Sequence, residues 1–478
     1  MLRDKITKNI SEIEIDFNEN KLNSENVLSG FKAMKLTEHF SEFSNFKKDG
    51  YSFQWVISLL LWMLARGNKT VNSSLSELNE QGIQIGKDVF FRLKNNETIN
   101  WRRILWYIAT KFIAITEKED VEKKPKCLIL DDTLIEKTGK NIEKIGKVYD
   151  HVSHSFKLGF KMLVALYWDG KSSIPLDFAL FSEKGNREDK PYGMSKKELR
   201  RQYCKKRMKD AEGQKRIKEL DKSKIEMAIQ MFYMAVFHSL SIDYVLCDSW
   251  FTCQSLVLAV RSQNVHLIGM YKFVKTKFLY RGKSLTYKEI RNSFNIKNVK
   301  RCRKMRLQYF RADVQMGDVP VTLFFSRQGT NGDWKVFLST DTNLSFVKLI
   351  EIYQIRWSIE VFFKETKQLL NLGGSQSSNF DAQIADTTIT LLAYILLSFR
   401  FRYEHYVSKG ALFKAMNADN LRQTLDMRLL GLFIEIAQTI AEILEIDATD
   451  LFAKILLNPK VAQMFAPQID NCLYKSDL

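Results

Sequence analysis

Apolar residues recur every three to four positions in two stretches near the start of the chain, FQWVISLLLWMLA (53–65) and WRRILWYIATKFIAI (101–115). That period predicts helices with a buried face. Between them, Ser74 is placed to cap a short helix, Gly82 to turn the chain and Lys87–Lys94 to form a second helix. Such an arrangement fits a helix–turn–helix or an ordinary pair of bundle helices equally well. At Lys123–Lys126 the pattern changes. KPKCLILDDT, FKLGFKMLVALYWDG and SIPLDFALFSE read as three consecutive strands across 126–182, the last two joined at Asp169-Gly170, a hairpin signal.

Further on, SKIEMAIQMFYMAVFHSL predicts a helix, DYVLCDSWF a short strand, FTCQSLVLAVRSQ a helix and HLIGMYKF a strand. From about Lys275 to Asp341 the runs KFLYRG, RLQYFRADVQ, VPVTLFFSR and WKVFLST are β-like, punctuated by turns at 316–318 and 329–333. A long helix is expected from Ser345 to Leu372, and the remainder reads helical. The order fits an α/β protein, a sheet with helices packed on it. The expected division is a helical region over 1–120, a first part of the core over 121–272, a β-rich insertion over 273–341, a second part over 342–400 and a helical end over 401–478.

Charge narrows the class. The 478 residues carry a formal net charge of +18, an excess that repels itself unless an anionic partner is at hand. Nucleic acid is the first candidate, a merely basic soluble protein the bland one. Residues 184–224 hold 16 Lys/Arg against 7 Asp/Glu, half of the net charge in one stretch. This is either a segment that tracks phosphates, the better reading, or a solvated face.

Six scattered cysteines form no CxxC pair, which argues against a zinc ribbon or a disulfide scaffold, and Cys127 and Cys247 read as small core residues. The opening MLRDKITKNISEIEID has no apolar signal core, and the apolar runs Trp55–Leu64 and Ile389–Phe399 are shorter than the ~18–20 residues of a membrane span. A cytoplasmic protein with no membrane partner is therefore expected. His151 and His154 read as surface residues rather than metal ligands.

Candidate chemistry lies in three acids and one helix. Asp131 and Asp248 each end a short apolar strand, so neighbouring strands would bring two carboxylates to one rim. Like charges so placed favour a cation between them, and hard divalent ions take a few carboxylates together with phosphate oxygens. In IEIYQIRWSIEVFFKETKQLL, residues Tyr353, Arg356, Glu360 and Lys367 fall within roughly 60° of one another on a straight helix at about 100° per residue. A surface helix with charge pairs is the plainer account, yet such a pair adds only about 0.2–0.5 kcal/mol.

The spacing Tyr-x2-Arg-x3-Glu-x6-Lys, after two strand-end aspartates, resembles the signature of the DDE transposases of bacterial insertion sequences that carry a YREK motif. Asp131-Asp132-Thr133 and Asp248-Ser249-Trp250-Phe251 resemble the other two acidic motifs, and the likeness covers about residues 120–400. It implies an RNase H-like mixed sheet flanked by helices and interrupted by an all-β insertion. It also implies that Asp131, Asp248 and Glu360 bind Mg²⁺, with Mn²⁺ as a substitute, and that Tyr353, Arg356 and Lys367 hold phosphates. Adjacency alone leaves Asp132 open as the first ligand.

Trp334 is placed where some members stack a flipped base, although a core tryptophan fits as well. Trp250 is a second stacking candidate or a packing residue beside Asp248. The implied partners are double-stranded DNA, as element ends and as target, and a second protomer in the DNA complex. The implied activity is cleavage at terminal inverted repeats, through hairpin ends, and transfer of the 3′ ends to a target. A nuclease of the same fold without strand transfer, or a non-catalytic DNA-binding regulator, are the alternatives.

Overall fold

The computed structural model describes residues 51–118 apart from 52, 66, 68–69 and 81–84, residues 124–403 apart from 295–298 and 331, and residues 408–414. Two compact units divide the chain, residues 1–90 with 406–478 and residues 91–405. In the first lie helices α1 (Phe53–Ala65) and α2 (Val71–Glu80) and the start of α3 (Lys87–Lys94). Thr70, not Ser74, caps α2: its Oγ1 accepts the Ser73 N–H at 3.1 Å. Ser74 is buried inside the helix and donates back to the Thr70 carbonyl at 3.2 Å, because burying Val71 starts the helix earlier. The turn expected at Gly82 lies outside the described residues, as do 1–50 and most of the C-terminal helical region.

The second unit opens with α4 (Trp101–Glu117), capped by Asn100, whose side chain accepts the Arg103 N–H at 2.8 Å. Then come β1 (Cys127–Glu136), β2 (Gly146–Asp150), β3 (Ser155–Trp168) and β4 (Ser173–Phe181). The three expected strands are four: β2 has too little apolar sequence to announce itself and exists by pairing with the near end of β3. The β3–β4 turn falls at Asp169-Gly170, where Gly170 has φ +97° and the Asp169 carboxylate accepts the N–H groups of Lys171 and Ser172. Next are α5 (Lys196–Arg200), α6 (Glu212–Glu219), α7 (Lys224–Phe237), β5 (Tyr244–Cys247), α8 (Gln254–Arg261) and β6 (His266–Met270).

The β-rich stretch holds β7 (Lys277–Tyr280), β8 (Lys283–Thr286), α9 (Tyr287–Ser293), β9 (Lys300–Cys302), β10 (Leu307–Met316), β11 (Val319–Gln328) and β12 (Lys335–Ser339). It includes a short helix, so it is not all-β. It is also not a separate sheet: β12 pairs antiparallel with β6, which would otherwise be an exposed edge. One sheet results, in the order β2-β3-β1-β5-β6-β12-β11-β10-β7-β8, with β4 on β3 and β9 on β10. Among the described residues only β1–β5 and β5–β6 are parallel.

Cys127–Leu130 of β1 and every residue of β4 are buried, as strands covered on both faces must be. Helix α4 packs on β4 and on α12 (Phe380–Tyr403), while α7 packs on β3 and β4. This is the expected α/β class, a large mixed sheet flanked by helices and compatible with an RNase H-like domain. Residues Phe380–Arg402 of α12 are long and apolar enough to cross a membrane, but most of this stretch is buried inside the protein, as suits a core helix.

The long helix expected from Ser345 is two, α10 (Phe346–Gln354) and α11 (Trp357–Leu369). Between them the bonds tighten to i→i−3: Arg356 N–H donates to the Tyr353 carbonyl at 3.0 Å and Ile359 N–H to the Arg356 carbonyl at 3.1 Å.

Candidate active site

Parallel pairing of β1 with β5 sets Leu130 opposite Cys247, so Asp131 and Asp248 leave adjacent strands at the same level. β1 runs on past Asp131 while β5 stops, which opens a rim there. Asp248 turns the chain: its Oδ1 accepts the Trp250 N–H at 2.8 Å and the Phe251 N–H at 3.3 Å. Beneath it, the Thr252 hydroxyl donates to the Asp248 carbonyl at 2.7 Å and lies 3.3 Å from Cys247 Sγ. Cys127 and Cys247 are fully buried, as small core residues.

Helix α11 crosses this rim. Arg356 Nη1 donates to Asp131 Oδ2 at 2.9 Å and Nη2 to Glu360 Oε1 at 2.6 Å, so one guanidinium ties the first acid to the third. Lys367 Nζ donates to Thr133 Oγ1 at 2.7 Å, two residues along β1 on the same face. Tyr353, on α10, points its hydroxyl at the Cys247 carbonyl, 3.4 Å away, and meets Phe337 edge-on. The four signature residues thus converge on β1 and β5, although they belong to two helices.

Burial pushes the Asp131 carboxyl up to about 7, with the nearby charge of Asp248 adding to the rise and Arg356 opposing it. Burial also raises the Tyr353 phenol well above its usual range. Asp132, one residue on, faces the other way and pairs with Lys224 of α7 at 2.7 Å. The structure therefore separates the two neighbouring aspartates: Asp131 meets the signature helix and Asp132 does not. Among the described residues no three His, Cys, Asp or Glu side chains are gathered closely enough to hold a metal ion. The Arg356 guanidinium lies between Asp131 and Glu360 and bonds to both.

Trp334 is half-buried just before β12, edge-on to Phe310 at 5.0 Å, with the Arg327 guanidinium over its ring at 4.6 Å. His151 and His154 are exposed in the β2–β3 turn. The basic run 184–224 divides. Lys205, Arg207 and Arg216 are engaged by Glu97, Glu143, Asp381, Asp177 and Glu219, so these cations hold the fold together. Lys196, Lys197, Arg200, Arg201, Lys206 and Lys209 remain exposed. The sequence reading missed the clamp of Arg356 on two acids and the Lys224–Asp132 pair. The first was within reach from the Arg356–Glu360 spacing, whereas no local spacing signals the second.

Two half-buried aspartates on adjacent strands, beside a helix that carries Glu and Lys and is led by Arg356, mark this as an α/β protein with an acidic site ringed by cations. Its particular family follows from a family model, the transposase DDE domain, which matches residues 122–396. The chain belongs to this family of transposases, enzymes that cut DNA with divalent metal ions. No curated protein matches the chain.

Proposed function

We infer that Asp131, Asp248 and Glu360 are the metal-binding acids of a transposase that cuts the terminal inverted repeats of its own element and joins the 3′ ends to target DNA. The observation that carries this reading is the Arg356 clamp. A positive charge already lies between Asp131 and Glu360, and Asp248 stands level with Asp131 on the next strand. The donor set is all carboxylate, which suits hard divalent ions such as Mg²⁺ or Mn²⁺. When bound, such ions activate the attacking hydroxyl or water and stabilise the leaving oxygen.

The chain's own residues do the rest. Arg356 releases the two acids and turns its fork to a phosphate, for which a planar guanidinium is shaped. Lys367 offers a point charge from the far end of α11, and Tyr353 lines the rim beside Asp248. Trp334, with Arg327 stacked on it, presents DNA with a cationic face rather than a bare ring. Two protomers would hold two element ends, and the second strand would be cut through a hairpin.

A labelled duplex carrying the inverted repeats that flank the gene tests this. Incubation with Mg²⁺ should give nicks, then hairpins and strand-transfer products, all abolished by chelator. Asp248→Ala and Glu360→Ala should bind the duplex and leave it intact. Nicking by either variant at the wild-type rate sinks the assignment, and nicks without strand transfer reduce the enzyme to a nuclease.

A further inference from the structure

The turn that Asp248 closes sorts two aromatic side chains. Phe251 goes into the core, 2% exposed, and Trp250 is left outside, 54% exposed. Its backbone N–H, bonded to Asp248 Oδ1 at 2.8 Å, ties the indole to the acidic rim. Two ammonium groups lie against the ring: Lys272 Nζ is 4.6 Å from the centroid and Lys224 Nζ 5.6 Å. Lys224 is committed to Asp132 at 2.7 Å. Lys272 is exposed and pairs with no carboxylate among the described residues. Trp334 differs, because the Arg327 over its ring is itself fixed, donating to Gln308 Oε1 at 3.0 Å.

An exposed indole beside a free ammonium matches one unpaired nucleotide. Any base offers a π-face to stack, and its phosphate draws the ammonium off the ring. A base inside a duplex cannot stack there, since its neighbours cover both faces. We propose that Trp250 is a stacking platform for an unpaired nucleotide at the DNA end being processed, with Lys272 gripping that nucleotide's phosphate. The assignment rests on the reading of Asp248 as a catalytic acid and makes Trp250 a positioning residue.

The test is binding without chemistry, in chelator, by fluorescence anisotropy of the full-length protein. Two labelled duplexes share one sequence; one is fully paired and the other ends in a short unpaired thymidine tail. Trp250→Ala should lose about tenfold in affinity for the tailed duplex and keep its affinity for the paired one. Trp250→Phe should retain most of the tail preference, and it carries the test if the alanine variant fails to fold. Lys272→Gln should weaken binding of the tailed duplex and reduce its salt slope by about one, and leave the paired duplex unchanged.

Equal affinity of Trp250→Ala and wild type for the tailed duplex overturns the platform, as does an equal loss on both duplexes. Cleavage in Mg²⁺ is scored separately with Glu360→Gln. If that variant is dead while Trp250→Ala binds as wild type, the platform alone is rejected. If it cleaves as wild type, the site assignment falls and the platform with it.

Discussion

Arg356 and Asp131 stand 225 residues apart in the sequence and 2.9 Å apart in space, guanidinium nitrogen to carboxylate oxygen. The same side chain reaches Glu360 one helical turn ahead. Arg356→Ala should leave Asp131 half-buried beside Asp248 with no cation. A loss of about 1–3 kcal/mol is expected in denaturant unfolding, toward the low end because Glu360 is partly solvated. Millimolar Ca²⁺ should then raise the melting temperature of the variant more than that of wild type, where the ion must displace the guanidinium. A variant whose melting ignores Ca²⁺ would show that these acids do not form an ion site.

Adjacent aspartates make a second test. Asp131 faces α11 and Asp132 faces Lys224. Asp131→Asn should lower the cleavage rate at least about a hundredfold, as loss of a metal ligand does. Asp132→Asn removes only a partly exposed ion pair, so cleavage should stay within about threefold of wild type. Single-turnover rates on the same labelled end compare the two, and reversed effects would move the first ligand to Asp132.

Much of this site was legible because its residues recur at fixed spacings within single elements. Asp131 follows the buried run CLIL, Asp248 follows VLC, and Glu360 and Lys367 share a helix whose N-cap is Arg356. What could not be read was set by partners far along the chain. β2 exists only by pairing with β3, and the β-rich stretch joins the main sheet only because β12 finds the edge of β6. The helix break at Arg356 has no proline or glycine to mark it. The charge run misled in part for the same reason: its net sum is local, but the carboxylates that neutralise Arg207 come from 143 and 381.

That division of the basic run is itself testable. Arg207 lies between Glu143 at 2.5 Å and Asp381 at 3.0 Å, with all three side chains no more than 3% exposed. Arg207→Met should cost about 3–5 kcal/mol, since it strips buried Glu143 of its cation and leaves Asp381 to Lys205 alone. Arg200 and Arg201 are exposed on α5 and its cap. Replacing both with Gln should leave the melting temperature alone and reduce the slope of log affinity for DNA against log salt by about two. An unchanged slope would remove α5 from the DNA path.

Lys137 gives the pH dependence. Just past the end of β1 it is buried, and its Nζ donates to the carbonyls of Gly373 at 2.7 Å and Ser375 at 2.6 Å, fastening the loop after α11. Burial pulls its pKa down to about 8, with Asp386 opposing, against about 10.4 for a free lysine. Below the folded value both states carry the proton, and the folded state is penalised throughout. As pH rises through 8 the folded amine discharges first, so stability is recovered up to the unfolded pKa. Lys137→Met cannot show that recovery and leaves two carbonyls without a donor. Wild type should therefore gain about 2 kcal/mol on the variant between about pH 7.5 and about pH 9.5 in denaturant unfolding. A gap that stays constant or narrows would mean that the ammonium form is the one the loop holds, and that the loop's grip on α11 weakens rather than strengthens in alkali.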